Sequence, residues 1–133
     1  MTLFEYTYDI KDELSLKMAL INISKDLIQL EFCLIKASSI QTAISEMGRN
    51  ILKFADHGEV SLRNITKCKK EGIEIHVIDK GPGIADIEQA MQEGYSTQKT
   101  LGLGLSGSRN LMDEFYIESQ LGKGTSVRMV MWK

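Results

Sequence analysis

The chain has 133 residues, 43% of them apolar and 26% charged, with a formal net charge of −2. That length suits one domain with its own core, so a single domain over residues 1–133 is expected. A slightly acidic balance supplies no basic face to neutralise phosphates, so neither nucleic acid nor an anionic membrane surface is an expected partner.

In chain order, Leu3–Ile10 alternates, with Phe4, Tyr6 and Tyr8 on one side of a two-residue period, and predicts a strand. Asp12–Glu31 places Leu14, Met18, Ile21, Ile23 and Leu27 or Ile28 at helical spacing, with Asp9 or Asp12 near the start. It predicts an amphipathic helix with those residues as its apolar stripe. Ser38 and Ser39 precede a second helix, with Ser39 in the N-cap neighbourhood. Its stripe is Ile40, Ala43, Ile44, Met47, Ile51 and Phe54, and His57 and Gly58 end it. Glu59–Thr66 and Ile73–Ile78 alternate on either side of a charged turn, Lys67–Gly72, and predict an antiparallel hairpin.

Asp79–Ala85 is a glycine-rich turn holding the single proline, Pro82. Asp86–Gln92 predicts a short helix and Glu93–Gly104 a polar loop. Leu105–Phe115 predicts a helix anchored by Leu105, Leu111 and Met112. Ile117–Leu121 and Thr125–Trp132 predict a final hairpin around Gly122-Lys123-Gly124. The order β-α-α-β-β-(α)-α-β-β predicts an α+β two-layer sandwich: a mixed, mostly antiparallel sheet covered on one face by helices. No apolar run approaches the roughly 20 residues of a bilayer span. Met1–Ile10 lacks the basic and apolar regions of a signal peptide. Cys33 and Cys68 sit in no metal-ligand spacing and read as ordinary thiols, so a cytoplasmic protein is expected.

Three stretches can carry chemistry. Glu46 and Asn50 are one helical turn apart, so their side chains share a face. An amide oxygen is a neutral hard ligand suited to Mg²⁺, and a carboxylate can accept a proton from a nucleophile. Alone, such a pair is ordinary content of a solvated helix face; Arg49 and Arg63 read as solvated or salt-bridged, though either could approach phosphate. Next, Asp79-Lys80-Gly81-Pro82-Gly83-Ile84 follows a strand directly. A carboxylate at a strand end can accept a hydrogen bond from an exocyclic amine, and Gly81 and Gly83 let backbone approach a flat ligand. Third, Gly102-Leu103-Gly104-Leu105-Ser106-Gly107 opens a helix, where outward N–H groups and the helix dipole favour phosphate. The same stretch matches GxGxxG, but a polar loop precedes it where the dinucleotide fingerprint needs a strand. A P-loop and the protein-kinase HRD and DFG signatures are absent.

The order ExxxN, DxGxG, GLGL and then Gly124-Thr125 resembles the GHKL (Bergerat-fold) ATPase superfamily over roughly Ser38–Trp132. By that resemblance the ligands are ATP and Mg²⁺. Asn50 would hold the metal, Glu46 would be the catalytic base, and Asp79 would hold the adenine amine. Gly81, Gly83 and Ile84 would line that side of the pocket. Residues 94–104 would form a lid, on which Ser96, Thr97 and Lys99 can reach the γ-phosphate. Gly102, Leu103, Gly104 and Leu105 would hold phosphate at the helix start, and Thr125 would support adenine.

At 133 residues the chain is expected to lack the extra domains of gyrase B, Hsp90 or MutL and a helical domain bearing a phosphorylated histidine. His57 and His76 read as surface residues. What remains is the compact serine/threonine kinase branch of anti-sigma factors and stressosome switch kinases (RsbT-type). The phrases Ala43–Ile51, Gly94–Thr97 and Arg109–Phe115 resemble the switch-kinase group, whereas residues 1–35 carry no matching phrase. The resemblance implies phosphorylation of a STAS-domain partner and then action on a downstream regulator such as a phosphatase. Three alternatives stay open: an anti-sigma factor that sequesters a sigma factor, a nucleotide-gated binding module with little catalysis, and a detached histidine-kinase catalytic domain. Oligomeric state is left open.

Overall fold

The computed structural model describes residues 5–55, 57–81 and 104–133. Within them run β1 (Glu5–Ile10), α1 (Glu13–Gln29), α2 (Leu34–Phe54), β2 (Gly58–Lys67), β3 (Lys70–Asp79), α3 (Gly104–Leu111), β4 (Glu114–Gln120) and β5 (Gly124–Trp132). The strands form one five-stranded sheet in the order β1-β2-β3-β5-β4. Every pairing among them is antiparallel, so the expected α+β sandwich is present without the parallel pairs that a mixed sheet would contain. The expected short helix Asp86–Gln92 and the loop after it lie outside the described residues, as do Leu3 and Phe4 of the first expected strand.

Alternation along the strands makes the sheet two-sided. Val60, Leu62, Ile73, Ile75, Val77, Val127 and Met129 point inward and are buried with Ile23, Leu27, Ile40, Ile44 and Ile51 of the helices. The opposite face carries no helix among the described residues and is largely polar, with Ile78 and Tyr116 exposed on it. There Glu74 receives Arg63 (2.8 Å) and Arg128 (3.3 Å), and the Arg128 guanidinium lies 4.1 Å from the Tyr116 ring centre. His76 on this face bonds to the Ser126 hydroxyl (2.8 Å). Arg63 is thus ion-paired, as the sequence suggested. No helix of the described residues is long and apolar enough to cross a membrane.

Several local expectations are corrected. The buried side of α1 is Leu16, Ala19, Ile23 and Leu27; Leu14, Met18, Ile21 and Ile28 face outward. The helix carries apolar residues on two opposite sides, and spacing alone does not say which side meets the core. Its start is as read: Asp12 caps it by accepting from the Ser15 N–H (2.7 Å), while the Ser15 hydroxyl accepts from the Asp12 N–H (3.0 Å). Its end is a Schellman turn, with Glu31 N–H donating to Ile28 O and Phe32 N–H to Leu27 O, and Glu31 at φ 64°. The left-handed position is usually glycine; with glutamate there the stop is silent in the sequence.

Because that turn is so short, α2 begins at Leu34, ahead of Ser38 and Ser39. Its N-cap is Cys33, which makes no side-chain cap bond. The predicted stripe of α2 is buried except for Phe54, which is 44% exposed. The charged turn narrows to Cys68 and Lys69, at φ 52° and 65°, the pair of positive dihedrals of a type I′ turn. Glu114 and Phe115 belong to β4 and not to the preceding helix, which ends at Leu111. The Asp113 N–H already donates to Val130 O, starting the β4–β5 pairing.

Tyr8 ties β1 to α1 by donating to Asp26 (3.0 Å). Burial, then the Asp26 carboxylate, pushes its hydroxyl from 10.0 up to about 12. A raised folded-state value means that the contribution is full below pH 10 and is lost as pH rises from 10 to about 12. Urea midpoints measured across that window should fall for the wild type. They should fall less steeply for Tyr8→Phe, which has no proton to lose.

Candidate active site

The register of the sheet builds the site. Ile10 pairs with Gly58, Gly58 with Asp79, Asp79 with Thr125, and Thr125 with Ser119. These five residues form one row across the inner face, at the end of the sheet where β3 stops. Asp79 is thus the last residue of a strand, on the side covered by helices.

The Asp79 carboxylate is clamped through one oxygen. Its Oδ1 accepts from the Gly81 N–H (2.9 Å) and from the Thr125 N–H (3.3 Å). Among the described residues nothing bonds Oδ2, which is left for an outside donor. The Thr125 hydroxyl lies 2.9 Å from the Ser119 hydroxyl, which also donates to Gly124 O (3.0 Å). The sequence reading missed Ser119, because only the β4–β5 register brings it beside Thr125.

Glycines clear the flanks of this carboxylate. A Cβ on Gly58 would collide with Ile78 O and sit 3.1 Å from Ile51 Cδ1 and 3.2 Å from Asp79 Cβ. A Cβ on Gly81 would sit 2.7 Å from Ala55 Cβ and 2.9 Å from Phe54 O, so the turn after β3 lies directly on the end of α2. Gly124, at φ 105°, passes against Asp79 O and Lys80 Cα. Gly58 was read only as a helix stop; its place opposite Asp79 follows from pairing, which a single sequence does not display.

Glu46 and Asn50 stand on α2, whose end meets the turn after Asp79. Glu46 has a side chain 24% exposed and lies 3.7 Å from Arg49, whose side chain is 59% exposed. This matches the salt-bridged reading of Arg49. Asn50 is half-buried, and its amide makes no hydrogen bond with any described residue. It directly precedes Ile51, which touches the space beside Asp79. A carboxylate and an unspent amide thus stand on the helix whose end packs on the turn after Asp79, and Asp79 keeps one oxygen unspent among the described residues. That donor and acceptor set fits an adenine nucleotide with a hard divalent ion.

Gly104 and Leu105 begin α3, as expected of a helix opened by glycines. In that helix Ser108 is fully buried, and its hydroxyl oxygen has no partner among the described residues. Gly83, Ile84, Ser96, Thr97, Lys99, Gly102 and Leu103 lie outside the described residues.

Comparison with known proteins identifies the family. Residues 35–133 match the family described as histidine kinase-, DNA gyrase B-, and HSP90-like ATPase. The chain is 40% identical over 111 residues to the serine/threonine-protein kinase RsbT of Bacillus subtilis, covering 84% of this chain and 81% of that protein. It is 35% identical over 108 residues to the anti-sigma F factor of Caldanaerobacter subterraneus, covering 78% and 76%. Among solved structures, the RsbU and RsbW domains of a Mycobacterium tuberculosis protein superpose with TM-score 0.67 at 16% identity, over all of this chain and 33% of that longer one. The mycobacterial sensor histidine kinase MprB gives TM-score 0.58 at 15% identity, over 97% of each chain. Those two likenesses speak to the fold; with the family match and the kinase relative, they place this chain in the histidine kinase-, DNA gyrase B- and HSP90-like ATPase family.

Proposed function

We propose that this serine/threonine kinase, a partner switch of the RsbT and anti-sigma F type, transfers the γ-phosphoryl group of Mg·ATP to a STAS-domain protein. The observation that carries the reading is the Asp79 carboxylate, held through one oxygen with the other open, beside the helix that bears Glu46 and Asn50. The open oxygen accepts from the adenine amine. The Asn50 amide oxygen holds Mg²⁺, which when bound offsets phosphate charge. The helix start at Gly104 and Leu105 presents N–H groups to phosphate, with Gly102 and Leu103 before it and Thr97 and Lys99 on the lid. Gly83 and Ile84 complete the adenine side with Thr125.

Glu46 accepts the proton of the attacking serine or threonine hydroxyl. A bond forms from that oxygen to the γ-phosphorus, the bond to the bridging oxygen breaks, and ADP leaves. Phosphorylation weakens the complex, and the released kinase engages a downstream regulator such as a phosphatase. We assign all of this to one domain, residues 1–133, acting in the cytoplasm.

The test mixes the chain with Mg·ATP and a purified STAS-domain protein and reads the partner's intact mass, with Asp79→Asn as control. One phosphoryl group, stable to acid, is expected from the wild type. The variant loses a charged hydrogen bond worth about 1.5–3 kcal/mol, so its nucleotide affinity should fall by about 10- to 150-fold. An acid-labile product would instead indicate phosphohistidine. The 35% identity to anti-sigma F factors favours a second reading, sequestration of a sigma factor. A chain that binds a sigma factor and leaves STAS proteins unmodified would establish it.

A further inference from the structure

α1 buries one side and exposes an equally apolar one. At about 100° per residue, Leu16, Ala19, Ile23 and Leu27 centre on one side of the helix, and Leu14, Met18, Ile21 and Ile28 centre on the other. The first set is at most 2% exposed, whereas the second is 67%, 51%, 51% and 72% exposed. Leu34 (83%) and Ile35 (80%), the first residues of α2, are exposed apolar side chains as well. A helix apolar on all sides is normally covered on all sides, and a contiguous exposed apolar patch marks an interaction surface. The Asp12–Ser15 cap and the Schellman turn at Glu31 hold this face rigid from both ends.

We propose that the outer face of α1 docks an amphipathic helix of a partner protein whose apolar stripe is rimmed by acidic residues. The charge pattern names that occupant. Lys17 and Lys25, both exposed, stand among the apolar residues two turns apart, so each can meet a carboxylate on the rim of a helix laid alongside. A second copy of this chain fits worse. Antiparallel pairing about Ile21 sets Lys17 against Lys25 of the copy, and parallel pairing sets each lysine against itself. The face is formed by no residue of the nucleotide site, so it stands apart from the kinase reading.

The experiment uses the full chain and two synthetic helical peptides. Both carry leucines at i, i+3, i+4 and i+7; one is flanked by glutamates and the other by lysines. Fluorescence anisotropy should show the glutamate peptide binding about tenfold or more tightly than the lysine peptide. Ile21→Glu should weaken the glutamate peptide by about tenfold or more while leaving the thermal shift with Mg·ATP intact. Lys17→Glu with Lys25→Glu should reverse the preference between the peptides. Equal affinity for both peptides, or no effect of Ile21→Glu, overturns the proposal. So does a wild-type dimer in sedimentation that Ile21→Glu dissociates, which gives the face to a second copy. Cosedimentation with phosphatidylglycerol vesicles that Ile21→Glu abolishes also overturns it, in favour of a lipid surface.

Discussion

Glu46→Gln is expected to slow phosphoryl transfer by about 10²- to 10⁴-fold, the usual contribution of a positioned general base. The amide keeps the shape of the carboxylate and its place on α2, so the fold should be preserved. The ion pair with Arg49 that the substitution removes spans 3.7 Å to a side chain 59% exposed, and such pairs contribute little to stability. Nucleotide affinity should be unchanged, because Asp79 and Asn50 are untouched. Single-turnover transfer and nucleotide titration on the same preparation separate the two quantities. A variant that transfers at the wild-type rate would make the base dispensable. One that transfers nothing yet still switches its partner would favour the nucleotide-gated module.

The second large effect is on stability. Gly124→Ala places a methyl group against Asp79 O and 2.9 Å from Lys80 Cα, at a residue with φ 105°. The conformation costs about 1–3 kcal/mol for a residue with a side chain, and overpacking against backbone adds about 1–3 kcal/mol. Gly122, in the same hairpin at φ 77°, has nothing within 4 Å of the added carbon. Gly122→Ala therefore carries the conformational cost alone. Urea midpoints should fall for both variants and clearly further for Gly124→Ala. That variant should also bind nucleotide more weakly, since relief of the collision moves the backbone of Asp79. Equal losses for the two variants would mean that the hairpin adjusts freely and that the close approach at Asp79 is unimportant.

The sequence was most legible where chemistry and periodicity agree. The α2 stripe from Ile40 to Ile51 and the alternating β2, β3 and β5 gave their elements directly, because each has one apolar side. The order of the boxes around Glu46, Asn50, Asp79 and Thr125 points to a candidate site without any geometry. What stayed hidden depends on pairing or on unusual backbone. Gly58 and Ser119 flank the site only through strand register, a long-range property. The stop at Glu31 and the turn at Cys68-Lys69 use left-handed backbone without glycine or asparagine, so neither has a compositional signal. The two-sided α1 misled in another way: its exposed leucine, methionine and isoleucines mimic a core stripe.

The polar side of the sheet has a consequence for how the molecule enters larger assemblies. Glu74 with Arg63 and Arg128, and His76 with Ser126, are spread across neighbouring strands of that surface. An apolar layer pressed onto it would strip water from these ions at a cost of several kcal/mol each. The protein therefore has a front and a back. Scaffolds, substrates and regulators that bury large apolar area must approach from the helical front or along the rims. Among the described residues the back remains a wetted wall.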